Sequence, residues 1–224
     1  MSTRPAIAAS PVADDAPRPS RRSRHGDTRE DREAAIVDAG LDLFLEKGFA
    51  ATKVDEVARR AGVAKGTVYL YFPSKDDLFH AVVRRSVEPL IDVVEDLAHD
   101  PDAPVADVLK RVFKALYAEV VATDRREVLR LIIAEGARFP KLASYYHTAV
   151  VRRGGAALRS LVAEAVARGE FRDGPATRRP EVLMGPALLA LVWTLVFQEI
   201  DPLDLDDVLA AHIDLVLNGV KASA

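Results

Sequence analysis

The 224-residue chain carries 31 Lys+Arg against 34 Asp+Glu, is 49% apolar and has no cysteine, enough material for one large domain or a small one followed by a larger. Without cysteine there are no disulfides, thiolate metal sites or thiol redox sensors, and a reducing cytoplasm is the expected compartment. No apolar signal-peptide core opens the chain, and the longest uncharged apolar run, Val182 to Phe197, falls short of the roughly 20 residues that span a bilayer, so no membrane partner is expected.

Charge is uneven: residues 1 to 75 hold 13 Lys+Arg against 11 Asp+Glu, and residues 76 to 224 hold 18 against 23. A polyanion, if bound, meets the front of the chain. Residues 1 to 27 are rich in Ala, Pro, Ser and Arg and poor in large apolar side chains, a composition that does not order itself. Arg22 and Arg24, with Arg18, Arg21 and His25, make this segment a basic arm suited to phosphates or a minor groove; a plain solvated tail fits the same residues.

From Thr28 onward the apolar period is helical and no stretch alternates as a strand does, which predicts an all-α fold. Ile36, Ala39, Gly40, Leu43 and Phe44 form the stripe of a first helix ended by Gly48. Thr52, with Asp55 three residues on, reads as the cap of a short second helix with Val54, Val57, Ala58 and Ala61 inward. Gly62 permits a tight reversal into a third helix, Lys65 to Phe72, and Pro73-Ser74 stops it and caps a fourth, with Asp77 at the box position.

On a helical wheel Val68 and Phe72 point inward, which leaves Gly66, Thr67, Tyr69 and Leu70 outward or sideways. Exposed aromatic and leucine side chains imply a partner surface. Two short helices joined by a glycine turn are the layout of a helix-turn-helix, whose second helix enters the DNA major groove.

The stretches "AAIVDAGLDLFLEKG" and "GFAATKVDEVARRAGVAKGTVYLYFPSKDDLF" resemble the N-terminal domain of TetR-type transcriptional regulators over residues 29 to 90. The resemblance implies a helix-turn-helix DNA-binding domain at 28–90, with the motif itself at 53–72, and a larger C-terminal helical ligand-binding and dimerisation domain at 91–224. It makes Lys65, Gly66, Thr67 and Tyr69 the groove-facing set and gives Tyr71, Lys75 and Thr52 phosphate contacts, while Leu70 suits a thymine methyl. For Tyr69 and Tyr71 packing on the next helix stays open, as does simple capping for Thr52. Ala64 departs from the Ser or Thr that often caps the family's recognition helix.

Beyond the motif, Lys75 to about Ala98 reads as one linking helix, followed by helices at Val105–Ala122, Arg125–Ala137, Pro140–Arg168, Pro180–Glu199 and Leu205–Val220. "VLMGPALLALVWTLVF" is apolar nearly all round and needs cover on more than one side. With Val182, Leu189, Val192 and Val196 on that helix and Leu205, Leu209, Ile213 and Val216 on the next, the resemblance implies a two-fold four-helix bundle with a second subunit; a monomer interior is the alternative. Effector-pocket candidates are Phe113, Tyr117, Leu129, Ile133, Phe139, Tyr146, Met184 and Trp193, most of which also suit a core. Glu135 and His147 are the polar residues to watch there, with a partner-satisfied buried group as the plainer reading.

Enzyme motifs are missing: no H-E-x-x-H, G-x-S-x-G or phosphate-cradling glycine loop. The D-x-x-H pairs Asp77–His80 and Asp96–His99 fall on one predicted helix and read as solvated charges rather than metal ligands. No cofactor is expected. The partners expected are an operator in double-stranded DNA, a second copy of the chain and a small apolar effector; the outcome is repression, with an effector-free architectural DNA-binding protein, or a helical enzyme or adaptor, as the alternatives.

Overall fold

A computed structural model describes residues 28–97 and 103–221; the arm with Arg22 and Arg24, and His99, lie outside the described residues. Among those described, all regular elements are helical, and one isolated antiparallel bridge joins Phe171 to Lys221.

Helix α1 (Arg29–Ala51) begins where Thr28 and Asp31 exchange side-chain and backbone hydrogen bonds, pairing amides that the first turn leaves free. Ile36, Val37, Ala39, Gly40, Leu43 and Phe44 are buried along one face. Gly48, at φ 80°, breaks the helical path in a conformation that a Cβ would strain, and Phe49 turns inward behind it.

Helix α2 (Val54–Arg60) has Lys53 rather than Thr52 at its N-cap position, and the Lys53 backbone amide donates to the Glu56 carboxylate rather than to Asp55. Gly62, at φ 69°, reverses the chain into α3 (Lys65–Tyr71). Val57 and Ala58 meet Val68 and Phe72 in the core between the two helices. Helix α4 (Lys75–Ser86) starts on the Ser74–Asp77 box that the sequence predicts.

The linking helix is broken, a departure from the predicted Lys75–Ala98 rod. Val87 leaves helical geometry, at φ −122° and ψ −38°, before α5 (Glu88–Leu97) resumes. Pro89 explains it: the ring has no N–H to give and collides with the carbonyl four residues back. Further on come α6 (Val105–Leu116), a π turn at Tyr117–Val121, α7 (Arg126–Glu135) and α8 (Pro140–Tyr146). A second π turn at His147–Val151 interrupts the predicted Pro140–Arg168 helix and leads into α9 (Arg152–Ala167). The short α10 (Pro175–Arg178) and a 3-10 turn at Pro180–Met184 precede α11 (Gly185–Phe197) and α12 (Leu205–Val220).

Packing crosses the boundary drawn at residue 90. The core under α1–α4 takes in Val128 and Leu131 of α7 and Leu142 of α8. Phe49 lies 5.2 Å from Phe44, 6.1 Å from Phe79 and 5.0 Å from Phe139, the residue just before α8. Each such ring contact is worth about 0.5–1.5 kcal/mol beyond the area it buries. His80 of α4 stacks on Tyr145 of α8 at 3.9 Å, and the Tyr145 hydroxyl donates to Glu88 across 3.0 Å.

Two further cores fill the rear. One joins α6, α9 and α12 through Phe113, Leu161, Val162 and Val216; the other joins α5, the first π turn and α11 through Leu90, Tyr117, Val121 and Ala190. Val216 is thus interior to its own chain and cannot serve the predicted subunit interface. Leu205, Leu209 and Ile213 are half-buried against the same cores. The opposite side of α11 is bare: Leu188 is 54%, Leu189 61% and Val196 57% exposed, with Val182 and Phe197 flanking them and Val192 half-buried. The window Pro180–Phe197 has a mean hydropathy of 1.7 over 18 residues and is one-third buried, apolar and long enough for a bilayer by composition alone.

Candidate DNA-binding face

The outer side of α3 carries the residues that the wheel sends there. Tyr69 is 44% and Leu70 81% exposed, beside exposed Lys65 and Gly66 and half-buried Thr67. Their inward counterpart Val68 is buried, so packing fixes the rotation of the helix. No side chain caps α3, because Ala64 has no acceptor to offer. An open groove beside it is lined by Lys53, Asp55, Lys65, Tyr69, Ser74 and Lys75. Lys65 is held across it by Asp55 at 2.7 Å, which also raises the lysine above its ordinary pKa and keeps it cationic. Lys53, missed in the sequence reading, stands exposed at the same groove. Its signal was available: a lysine at the start of α2 adds a cation to the helix end that attracts anions.

Three predicted phosphate contacts have their polar ends bonded within the chain. The Thr52 side chain is buried, and its hydroxyl donates to the carbonyls of Leu43 at 3.0 Å and Gly48 at 2.8 Å. Lys75 turns its ammonium into the same turn, donating to Phe49 O at 2.6 Å, Ala50 O at 3.1 Å and Thr52 O at 3.0 Å, with the Phe49 ring 4.5 Å away. All three donors are spent, and desolvation pulls its pKa below the ordinary lysine value. Tyr71 is half-buried, and its hydroxyl donates to Arg29 O at 3.2 Å, so it ties α3 to the start of α1. The carbonyls of Gly48, Phe49, Ala50 and Thr52 around this turn are the acceptors that hold Thr52 and Lys75.

Alpha2 is braced on α1 by Arg60, which grips Glu46 through its two terminal guanidinium nitrogens at 2.5 and 2.8 Å, and by Lys47 on Glu56 at 2.8 Å. Exposed pairs of this kind contribute little energy each; their effect is to fix the angle at which the motif is presented. Asp77 is occupied in the α4 cap, and no group of three or more His, Asp or Glu side chains gathers among the described residues as a metal would need.

The predicted effector residues do not form one pocket. Phe113, Tyr117, Leu129 and Met184 lie in the rear cores. Phe139 and half-buried Tyr146 belong to the core under α1–α4, where burial pushes the Tyr146 hydroxyl up to about 12. Glu135 reaches forward too, its carboxylate resting against Gly48 where a Cβ would collide with it. Ile133 is 62% exposed and His147 is exposed, so neither lines a cavity. Trp193 is half-buried and donates from its indole nitrogen to Asp201 O at 2.7 Å, closing the end of α11 rather than lining a pocket. His212 of α12 is buried among these cores, 4.1 Å from Phe113 and 5.8 Å from Tyr117 by ring centroids.

Burial depresses the pKa of both His80 and His212, an effect that Asp77 and Asp76 oppose at His80 and the Leu183 carbonyl opposes at His212. The fold therefore favours the neutral form of both rings, whereas the unfolded chain takes up protons below about pH 6.5. Their contribution to stability is therefore full above that pH and is lost as pH falls toward the depressed folded values. The unfolding midpoint is expected to drop between pH 7.5 and 5.5, and the drop to shrink in a His80→Gln/His212→Gln double variant; an unchanged pH slope overturns this.

Comparison with known proteins matches two segments of the chain. Residues 36–82 match the family described as "Bacterial regulatory proteins, tetR family", and residues 103–212 match "Tetracyclin repressor-like, C-terminal domain". The HTH-type transcriptional regulator YdeS of Bacillus subtilis is 30% identical over 156 residues, 69% of this chain and 73% of that protein. YerO of the same organism is 30% identical over 109 residues, 47% of this chain but only 36% of YerO. The structure of the SmeT–triclosan complex superposes with a TM-score of 0.74 at 22% identity, over 86% of this chain and 93% of SmeT, the repressor of the Stenotrophomonas maltophilia efflux pump SmeDEF. At that identity SmeT speaks for the fold alone. With both of its domains matched in order and the α2–α3 pair presenting a bare outer face, the chain belongs to the TetR family of bacterial helix-turn-helix transcriptional regulators.

Proposed function

We propose that the chain works in the cytoplasm as a homodimeric repressor that holds a pseudo-palindromic operator and releases it when a small, largely apolar effector enters the C-terminal domain. The observation that carries the DNA end is the exposed Tyr69–Leu70 surface of α3 beside Lys65 and Lys53. Gly66 allows close backbone approach, Thr67 and Tyr69 address base edges or phosphate, and the lysines supply the charge. Two such helices must stand about 34–36 Å apart, or a whole number of turns further, to enter successive major grooves. The bare apolar side of α11 fits a second copy, which sets that distance. The SmeT complex with triclosan supports a small-molecule effector. Such a compound acts only by binding the non-matching dimer better than the matching one.

Selection of bound fragments from genomic DNA, followed by footprinting, tests the reading: two short protected half-sites are expected, and uniform coating overturns it. On the selected fragment, Tyr69→Ala should relax sequence preference, whereas Lys65→Ala should weaken all sequences alike and reduce the salt slope by about 1. Unchanged binding in both refutes the assignment of this face.

A further inference from the structure

The interior of the C-terminal domain is split. Phe113 belongs to the core of α6, α9 and α12, Tyr117 to the core of α5, the π turn and α11, and Leu209 and Val94 pack against both. His212 sits on this seam with its ring against both aromatics. Its Nε2 lies 2.8 Å from the Leu183 carbonyl, which can only accept, so Nε2 carries the proton and Nδ1 presents a lone pair. Nδ1 has no hydrogen-bond partner, and neither does the Tyr117 hydroxyl, although His212 is 1% and Tyr117 3% exposed. Buried polar atoms are ordinarily paired, and two orphans on neighbouring rings, 5.8 Å apart by centroid, call for a partner. Tyr117 also opens the π turn, a backbone irregularity that recurs at binding sites.

We propose that Tyr117 and His212 are the polar end of the effector site and select a neutral hydroxyl on an otherwise apolar molecule, a phenol or an alcohol. This rests on the effector reading above. One hydroxyl oxygen accepts from Tyr117 O–H and gives its own proton to His212 Nδ1, so both orphans are satisfied at once. A plain hydrocarbon satisfies neither. An ammonium has no lone pair for Tyr117, and a carboxylate has no proton for His212 Nδ1 and carries its charge into an apolar interior. Leu183 lies in the 3-10 turn that feeds α11, so a ligand on the His212 ring bears on the helix whose bare side faces the second copy.

The test is calorimetric titration of the full-length wild type and Tyr117→Phe with 4-butylphenol, butylbenzene and 4-butylbenzoate, alongside release of the selected DNA fragment. Tyr117→Phe removes only an unpaired hydroxyl, so its unfolding midpoint should not fall. Wild type is expected to bind 4-butylphenol about tenfold more tightly than butylbenzene, and the variant to lose that preference while keeping its butylbenzene affinity. Equal affinities in the wild type, phenol binding unmoved by the variant, tightest binding of the benzoate, or no binding of any of the three would each overturn the assignment. So would a crystal structure of the soaked protein with only a water between Tyr117 and His212. Variant-sensitive binding that leaves DNA bound keeps the assignment and removes the effector reading; release that ignores the variant does the reverse.

Discussion

Lys75→Met lowers the midpoint of thermal unfolding by roughly 5–10 °C and leaves the salt dependence of operator binding unchanged at temperatures where the fold persists. The methionine keeps the apolar stem against Phe49 and deletes the ammonium that donates to Phe49, Ala50 and Thr52 carbonyls. Losing a charged donor from three acceptors costs about 2–3 kcal/mol, and each kcal/mol moves the midpoint by about 2–4 °C in a chain of this size. The family resemblance gives Lys75 the opposite role, as a phosphate contact. That role predicts an unmoved midpoint and a salt slope smaller by about 1. Differential scanning calorimetry and a salt titration on one preparation separate the two.

The second large effect belongs to the rear. A Leu189→Glu/Val196→Glu double variant should run as a single 24.4 kDa chain in light scattering where the wild type runs at twice that mass. Both side chains are more than half exposed in the single chain, so the carboxylates cost the protomer little. In a two-fold face each meets apolar surface and its own symmetry mate, which is prohibitive for a buried charge. Separating the subunits unlinks the half-sites, and operator affinity should fall by about 100-fold or more. A wild type that is already monomeric, or a variant that still dimerises, removes α11 from the interface.

How far the sequence could be read depended on what each feature required. The face of α3 was legible because Val68 and Phe72 are the apolar residues that a short amphipathic helix can bury, and the period then places Tyr69 and Leu70 outside. The break at Val87 was legible as well, in Pro89, but was passed over. Thr52 and Lys75 were placed near the right surface and pointed the wrong way, since spacing fixes where a residue stands and not which neighbour its polar end prefers. The carbonyls behind Gly48 that claim both side chains exist only after the turn has formed. Glu135 and Phe139 were misplaced for a related reason: their contacts with Gly48 and Phe49 bridge some ninety residues of chain. On α11 nearly every position is apolar, so period alone could not say which side is left bare, and Val216 on α12 was assigned outward although it is interior.

The aromatic contact between Phe49 and Phe139 also bears on protein engineering. Hybrid regulators made by fusing the reading head of one family member to the sensor of another are naturally cut near residue 90, where the primary structure suggests a seam. Here such a cut would separate Phe49, Phe79 and His80 from Phe139, Leu142 and Tyr145. A graft that carries the α7–α8 corner along with the head would keep those rings with their native mates.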